Sequence, residues 1–277
     1  MQRYYTRACN FYYGQQSKTL VKKKKSLPLH NIKEISFDQI EIITRNSKRK
    51  VFISEVKKLP TYLKKKINFD LKKITSTKKS FGNLKFNSIP NILGILNLTP
   101  DSFSDGGKFN KKNKGIKHAI NLFNSGANII DIGGESTRPG SKTINENSEW
   151  SRIYKILKIL SKKIPISLDT RKSSIMKKGI KLGIKIINDV SGLEYDPETV
   201  NVLKYSKAPF VLQHSRSRPE NMQDKPFYKN ELLDIYDFFE KKIIYLRSIG
   251  INHNKIIIDP GIGFGKNLKH NMNLIKN

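Results

Sequence analysis

One pattern recurs six times between residues 91 and 266: a short apolar run ends on a polar residue and opens into Gly, Ser, Thr or Pro. The six segments are NILGILNLTPDSFSDGG, ANIIDIGGESTRPG, PISLDTRKS, IKIINDVSGL, PFVLQHSRSRP and KIIIDPGIGFGK. A run without a polar face suits a strand that is covered on both sides in a parallel sheet. Because ligands of parallel α/β domains bind beyond the carboxyl ends of the strands, the recurrence predicts such a domain, with its site at the strand exits.

Helical periodicity fills the intervals between these strands. Apolar side chains recur at helical spacing in residues 111–125, 149–163, 230–249 and 268–277. Six strand–helix units fit into the 188 residues of segment 90–277, whereas a closed eightfold barrel needs about 250 residues. We therefore expect an α/β fold: a (β/α)8 TIM-type barrel of which about six units are present, incomplete at the C-terminus.

Residues 1–89 differ in composition from the rest of the chain. They carry 22 Lys or Arg against 5 Asp or Glu, whereas residues 90–277 carry 31 against 18. Residues 40–43 and 51–53 resemble two short strands joined by a polar turn, and Leu59 to Ile74 has the spacing of a basic helix. We predict a basic N-terminal extension at residues 1–89, forming a small α+β unit, and a barrel domain at residues 90–277.

The formal net charge of +30 favours, on its own, nucleic acid, an anionic membrane surface or an anionic substrate as partner. However, Lys is scattered among abundant Asn and Ile, which a biased codon composition gives without any polyanion. No apolar run approaches the roughly 20 residues of a membrane span. Cys9 is the only cysteine, which excludes a disulfide framework and a thiolate metal site. We expect a cytoplasmic protein with no membrane partner, and the sequence disfavours nucleic acid.

The six strand exits are rich in carboxylates and carboxamides. Aligned by strand, they are Asn97, Asp131, Asp169, Asn188, His214 and Asp259. Asp only accepts hydrogen bonds whereas Asn also donates, so together they can bind a flat heterocycle with amide-like groups. Residues 133–140 join flexible Gly and two hydroxyls to one Arg, which suits phosphate oxygens. Asn97 and a substrate diphosphate can share Mg²⁺ with waters, because this ion keeps few protein ligands.

The phrases GILNLTPDSFSDGG, DIGGESTRPGS, ISLDTRK, INDVSGL and DPGIGFGKN together resemble, in this order, the pterin-binding barrel of the dihydropteroate synthase family, over residues 91–277. The resemblance implies a transferase of folate biosynthesis that condenses hydroxymethyl-dihydropterin diphosphate with p-aminobenzoate, giving dihydropteroate and diphosphate. It also implies a homodimer. The implied roles are a Mg²⁺ ligand at Asn97, catalysis at Asp169 and Arg138, binding of pterin diphosphate by Thr137, Asp169, Asn188 and Asp259, and p-aminobenzoate loops at Phe103 and Pro139.

Some features of the family are absent from residues 1–277. Its seventh strand ends in a Ser-Arg-Lys phrase and its eighth supplies an Arg and a His, and neither phrase is found. The fifth exit also departs, since residues 214–219 read HSRSRP. Two alternatives therefore stay open: a pterin-dependent methyltransferase, whose related barrel needs no diphosphate machinery, and a non-catalytic protein whose basic extension contacts nucleic acid or another partner.

Overall fold

In the computed structural model, the described residues are 3–78, 80–81, 84, 90–99, 114–136, 141–215 and 226–277. The chain divides into two compact units, Met1–Lys79 with Phe86–Pro90 and Ser80–Lys85 with Asn91–Asn277. Four residues named from the sequence lie outside the described residues: Phe103, Thr137, Arg138 and Pro139. Within the described part of the chain, no helix combines the length and the hydropathy that a membrane span requires.

The first unit is a small antiparallel sheet with two helices. Its elements are β1 (Tyr5–Tyr13), α1 (Gly14–Lys22), β2 (Leu27–Leu29), β3 (Ile32–Ile43), β4 (Lys48–Phe52), a 3-10 turn (Ile53–Lys58) and α2 (Thr61–Thr75). The long strand β3 is central and pairs with β1, β2 and β4. The apolar stripe of α2, which includes Leu63, Ile67 and Leu71, packs with Phe37 and Ile40 of β3, as expected of an amphipathic helix on a sheet.

The described residues of the second unit form six parallel strands. They are β5 (Leu93–Asn97), β6 (Ile129–Gly133), β7 (Ile166–Asp169), β8 (Ile186–Asp189), β9 (Phe210–Gln213) and β10 (Ile256–Asp259). Each strand pairs with the next one along the chain. Sequential parallel pairing is the order of successive units in a (β/α) barrel. The six predicted strands are thus confirmed, and so is the predicted α/β fold class.

Helices follow the strands and cover one face of the sheet. They are α3 (Lys114–Asn124), α4 (Glu146–Leu160), α5 (Ser173–Lys181), α6 (Thr199–Tyr205), α7 (Glu231–Ser248) and α8 (Leu268–Lys276). Asn145 and Asn230 cap α4 and α7, each accepting a hydrogen bond from a first-turn amide. Gly126 and Gly250 follow α3 and α7 at φ of +111° and +93°, a conformation that glycine adopts without steric cost.

The two faces of the sheet differ because side chains alternate along each strand. On the outer face, Ile132, Leu168 and Leu212 belong to the large core shared with the helices. On the inner face, Ile129, Ile186 and Val211 pack with Leu84, which is 5% exposed. These residues lie near the amino ends of the strands. Nearer the carboxyl ends of the strands, the inner face therefore carries polar side chains, which form the candidate site.

Candidate active site

The pairing register brings three predicted site residues to one level. Asn97 pairs with Gly133, Gly133 with Asp169, and Asp169 with Asn188. Asn188 follows the inner-face residue Ile186 by two positions, so its side chain emerges on the same face. All three polar side chains are partly exposed. The carboxyl ends of four neighbouring strands thus form one row of amide and carboxylate groups that a ligand can reach.

Gly133 leaves a gap in the middle of this row. A Cβ atom built on Gly133 would lie 3.1 Å from Asp169 Oδ2 and 3.4 Å from Asn97 Oδ1. Two side-chain oxygens from strands on either side of β6 therefore converge on a space that any larger residue would fill. Oxygen donors of this kind suit a hard cation such as Mg²⁺. Among the described residues, no group of three or more His, Cys, Asp or Glu forms a metal site.

Asp131 lies one inner-face step below Gly133 and is held by Asn188. The side-chain Nδ2 of Asn188 donates a 2.9 Å hydrogen bond to Asp131 Oδ2. Asp131 is 7% exposed, and its Oδ1 has no hydrogen-bond partner among the described residues. Buried acceptors normally have partners, and, while burial raises the pKa of this carboxyl, the hydroxyl of Ser167, the register neighbour of Asp131 on β7, lowers it. The expectation that Asp131 stands at a strand exit is wrong, because β6 continues to Gly133; the resemblance implied no role for Asp131.

The inner face disfavours negative charge when no ligand is bound. Burial raises the pKa of Asp169 well above its usual range, and the nearby carboxylates of Asp131 and Glu149 raise it further. Burial likewise raises the pKa of Asp131. Both shifts have the cause expected for carboxyl groups in a poorly hydrated setting. A ligand that brings N–H donors or positive charge would favour the ionised forms.

At the fifth exit the inner-face residue is Gln213. Gln213 pairs with Asp259 and lies two positions after Val211, an inner-face residue. The His214 ring instead packs edge-on against Phe238 of α7, with ring centroids 4.8 Å apart. The expectation that His214 joins the polar row is wrong. Strand β9 ends one residue before it, and alternation directs His214 towards the helices.

The loop after β10 needs its glycines. Gly261, Gly263 and Gly265 have φ of +67°, +85° and +61°, where L side chains are disfavoured. A Cβ on Gly261 would lie 2.2 Å from the carbonyl oxygen of His214, so the loop crosses close against the end of β9. The amide of Gly261 donates a 2.7 Å hydrogen bond to Asp259 Oδ1. The orientation of the predicted site residue Asp259 therefore depends on this loop.

Four buried charges lie next to the loop after β6. This ionic cluster consists of Glu135, Glu149, Arg171 and Lys172, and their side chains are no more than 6% exposed. Arg171 Nε lies 2.9 Å from Glu135 Oε2, and Lys172 Nζ lies 2.6 Å from Glu149 Oε2 and 3.0 Å from Glu135 Oε1. Sequence reasoning missed this cluster, although the Arg-Lys pair after Asp169 was a signal.

The same loop is held at both flanks of residues 137–140. The hydroxyl of Ser141 donates a 2.7 Å hydrogen bond to the carbonyl of Ser136. The amide of Ile144 donates to Glu135 Oε1 at 2.9 Å, which connects this end to the ionic cluster. The described residues on the two sides of this segment are thus joined to each other and to the ionic cluster.

Fold and site together define an α/β-barrel-type protein with an amide–carboxylate row at its strand exits. The family described as "Pterin binding enzyme" matches residues 93–277, and the chain belongs to this family. A dihydropteroate synthase of Synechocystis sp. is 40% identical over 187 residues, 67% of this chain and 65% of that protein. The predicted family resemblance is thus confirmed.

Two solved structures support the assignment. The Yersinia pestis dihydropteroate synthase with a sulfonamide drug complex has 39% sequence identity and a TM-score of 0.65, covering 68% of this chain and 69% of that one. The Clostridium difficile enzyme solved in the presence of pteroic acid has 38% identity and a TM-score of 0.62, covering 72% of each chain. The chain spans about two-thirds of the length of the curated relative described above.

Proposed function

We propose that this chain catalyses the dihydropteroate synthase reaction of folate biosynthesis. The two substrates are hydroxymethyl-dihydropterin diphosphate and p-aminobenzoate, and the products are dihydropteroate and diphosphate. The observation that carries the proposal is the row of Asn97, Asp169 and Asn188 around Gly133, with the Asp131 carboxylate, which Asn188 holds, below it. It supports the binding of a flat heterocycle rich in N–H groups next to an anionic group.

The inner-face polar side chains would bind the pterin. Its amino and ring N–H groups can donate to Asp169 and Asp259, whereas Asn188 can both donate and accept. Asn188 already donates to Asp131, which leaves its carbonyl oxygen for a ligand donor. Such a ligand would relieve the unfavourable burial of the carboxyl groups, because hydrogen bonds to a carboxylate favour its charged form.

The diphosphate would lie over the Gly133 gap. Asn97 Oδ1 would be the protein ligand of Mg²⁺ at the edge of the gap, and Asp169 Oδ2 on its other side would stay with the pterin. This donor set fits Mg²⁺, which takes one or two protein oxygens and completes its shell with waters and phosphate oxygens. When bound, the ion would neutralise negative charge on the leaving diphosphate.

The reaction itself needs electrostatic stabilisation rather than a protein nucleophile. The C–O bond between the pterin methylene and the diphosphate breaks, and the electron pair leaves with the diphosphate. The amine of p-aminobenzoate then forms the C–N bond and loses a proton. Asp169, once ionised, would stabilise the cationic methylene, which is the kind of fixed-charge effect that dominates many enzymes.

The remaining roles follow from the family resemblance alone. Thr137 and Arg138 would contact the substrates from the loop after β6, with Arg138 stabilising the departing diphosphate. Phe103 and Pro139 would line the p-aminobenzoate site. The ionic cluster and the Ser136–Ser141 hydrogen bond support this assignment, because they fix the flanks of that loop. We also propose that the chain forms a homodimer in the cytoplasm. Light scattering of the purified chain tests the dimer.

The test is diphosphate release by the purified full chain with both substrates and Mg²⁺, together with chromatography of dihydropteroate. Release that depends on p-aminobenzoate supports the proposal. Methyl transfer from a methylated tetrahydrofolate, with no diphosphate release, would instead identify a pterin-dependent methyltransferase. If the chain binds pteroic acid but catalyses neither reaction, it is a pterin-binding protein without enzymatic activity.

A further inference from the structure

Lys266 is a buried cation that is solvated by the backbone. The residue is 2% exposed. Its Nζ lies 2.8 Å from the carbonyl oxygen of Phe264, 3.0 Å from that of Gly261 and 3.2 Å from that of His214. A buried charge is costly unless polar groups compensate for the lost water. Here three carbonyl dipoles do so, which makes their arrangement dependent on the ammonium group.

The fourth neighbour of the ammonium is the His214 ring. Nζ lies 3.0 Å from His214 Nδ1. A protonated lysine only donates, so in this contact Nδ1 accepts and a neutral ring carries its proton on Nε2; the three ammonium protons are then shared among four acceptors. Lys266 therefore fixes both the carbonyl and the tautomer of the residue that follows β9. The edge-on packing of the ring on Phe238 holds the same orientation from the other side.

These contacts join the exit of β9 to the loop after β10. Gly261 contributes its carbonyl to Lys266 and its amide to Asp259 Oδ1, at 3.0 Å and 2.7 Å. One peptide segment thus connects the ammonium to the site carboxylate. Without the ammonium, the carbonyls of Phe264 and His214 would lose this donor and that of Gly261 would keep only the Phe264 amide, 3.0 Å away; loss of a donor to a buried acceptor is unfavourable.

We propose that Lys266 is a positioning residue for Asp259. It holds the loop Gly261–Gly265 against the end of β9, so that the Gly261 amide orients the Asp259 carboxylate towards the bound ligand. The part of this inference that concerns ligand affinity rests on the proposed pterin-binding function. The part that concerns the Gly261 amide rests on the structure of the chain alone.

Lys255 is a matched control in the same unit. Its Nζ donates to the carbonyls of Leu203 and Ser206, the latter at 2.7 Å. Lys255 thus caps backbone carbonyls as Lys266 does, but it lies at the amino end of β10, the opposite end from the site. Replacing either lysine with Met removes an ammonium and keeps an unbranched apolar side chain. Only the Lys266 change should reach Asp259.

The experiment compares the full chain with its Lys266→Met and Lys255→Met variants. Pteroic acid affinity is measured by calorimetry, and hydrogen exchange at the Gly261 amide by NMR without ligand. We expect Lys266→Met to bind pteroic acid about tenfold more weakly, as loss of a charge-assisted contact gives. We expect exchange at Gly261 to accelerate by a similar factor and the His214 Nδ1 nitrogen resonance to shift. Lys255→Met should lower the melting temperature without these changes.

Each outcome bears on the proposal. Unchanged Gly261 exchange in Lys266→Met would overturn it, whatever the ligand data show. A loss of affinity that Lys255→Met shares equally would also overturn it, because the effect would then be general destabilisation. If the unmodified chain does not bind pteroic acid, the proposed function fails while the exchange comparison still decides the positioning role. Should Lys266→Met not fold, Lys266→Gln, which keeps one donor group, replaces it in the same comparison.

Discussion

Asn97 and Asp169 belong to strands that are separated by β6, yet their side-chain oxygens meet above Gly133, within 3.4 Å and 3.1 Å of the position that its Cβ would occupy. The absence of a side chain at this one residue keeps the two oxygens accessible to a shared ligand. Amide and carboxylate oxygens with an open space between them are a suitable half-shell for a cation that also binds phosphate.

Gly133→Ala should therefore impair the site more than the fold. Gly133 does not have a positive φ, so alanine fits the strand, and its methyl group fills the gap. We expect turnover to fall by more than about tenfold, equivalent to about 1.4 kcal/mol of barrier, and Asn97→Ala to do the same. Gly94→Ala is the control for crowding alone: its Cβ would lie 3.0–3.2 Å from apolar side chains of the core, so it should lower the melting temperature and leave the gap open. A Gly133→Ala enzyme with full activity would contradict the role of the gap.

Asp169→Asn should separate activity from stability. The pKa of Asp169 is raised in the folded chain, so its contribution to stability is greatest at low pH and is lost as pH rises through the folded pKa. The amide removes this penalty at pH 7. We expect a melting temperature higher by about 2–4 °C, the shift that 1 kcal/mol gives in a domain of this size, and a more than tenfold loss of turnover. If the difference in melting temperature between Asp169→Asn and the unmodified chain is the same at pH 7 and pH 4, the pKa of Asp169 is not raised in the folded chain.

The effect of the ionic cluster on the free energy of unfolding should depend on the balance between its two acidic and its two basic side chains. Lys172→Met leaves Glu149, which is 0% exposed, without its closest cation. We expect a loss of about 3–5 kcal/mol in the free energy of unfolding, measured by urea titration. Adding Glu149→Gln should restore part of that loss, because it removes the uncompensated charge. The control is Lys242→Met, which breaks a pair with Glu194 in which the side chains are 22% and 60% exposed. This change should cost less than about 1 kcal/mol.

Lys266 should give a pH dependence of its own. Burial lowers the pKa of Lys266 to about 8, whereas an unfolded lysine titrates near 10.4. Between these values the unfolded chain binds more protons, so the contribution of Lys266 to stability rises with pH. The free energy of unfolding of the unmodified chain should gain on that of Lys266→Met as pH increases from 7.5 to about 9.5. A constant difference would mean that Lys266 titrates normally.

Much of the site could be predicted because strand exits in a parallel sheet lie at one edge. Asn97, Asp169 and Asn188 needed only correct strands and sequential pairing to come together. The prediction for the fifth exit was wrong because β9 ends at Gln213, one residue before His214. A shift of one residue turns a side chain to the opposite face of the sheet, and the apolar run does not specify the last residue of the strand. Likewise, the role of Lys266 could not be predicted, because it binds backbone carbonyl groups, and every residue has a carbonyl whatever its side chain.

The composition of the chain changes near residue 89, but its packing does not follow that boundary. Leu84 fills the inner face among Ile129, Ile186 and Val211. Deleting residues 1–89 would therefore remove Leu84 from the inner-face cluster of the second unit together with the basic segment. The deletion would leave a void of the size that destabilises a core. Cutting after Lys79 instead keeps Ser80–Lys85 with the unit to which it belongs. The two deletions, ten residues apart, are different experiments.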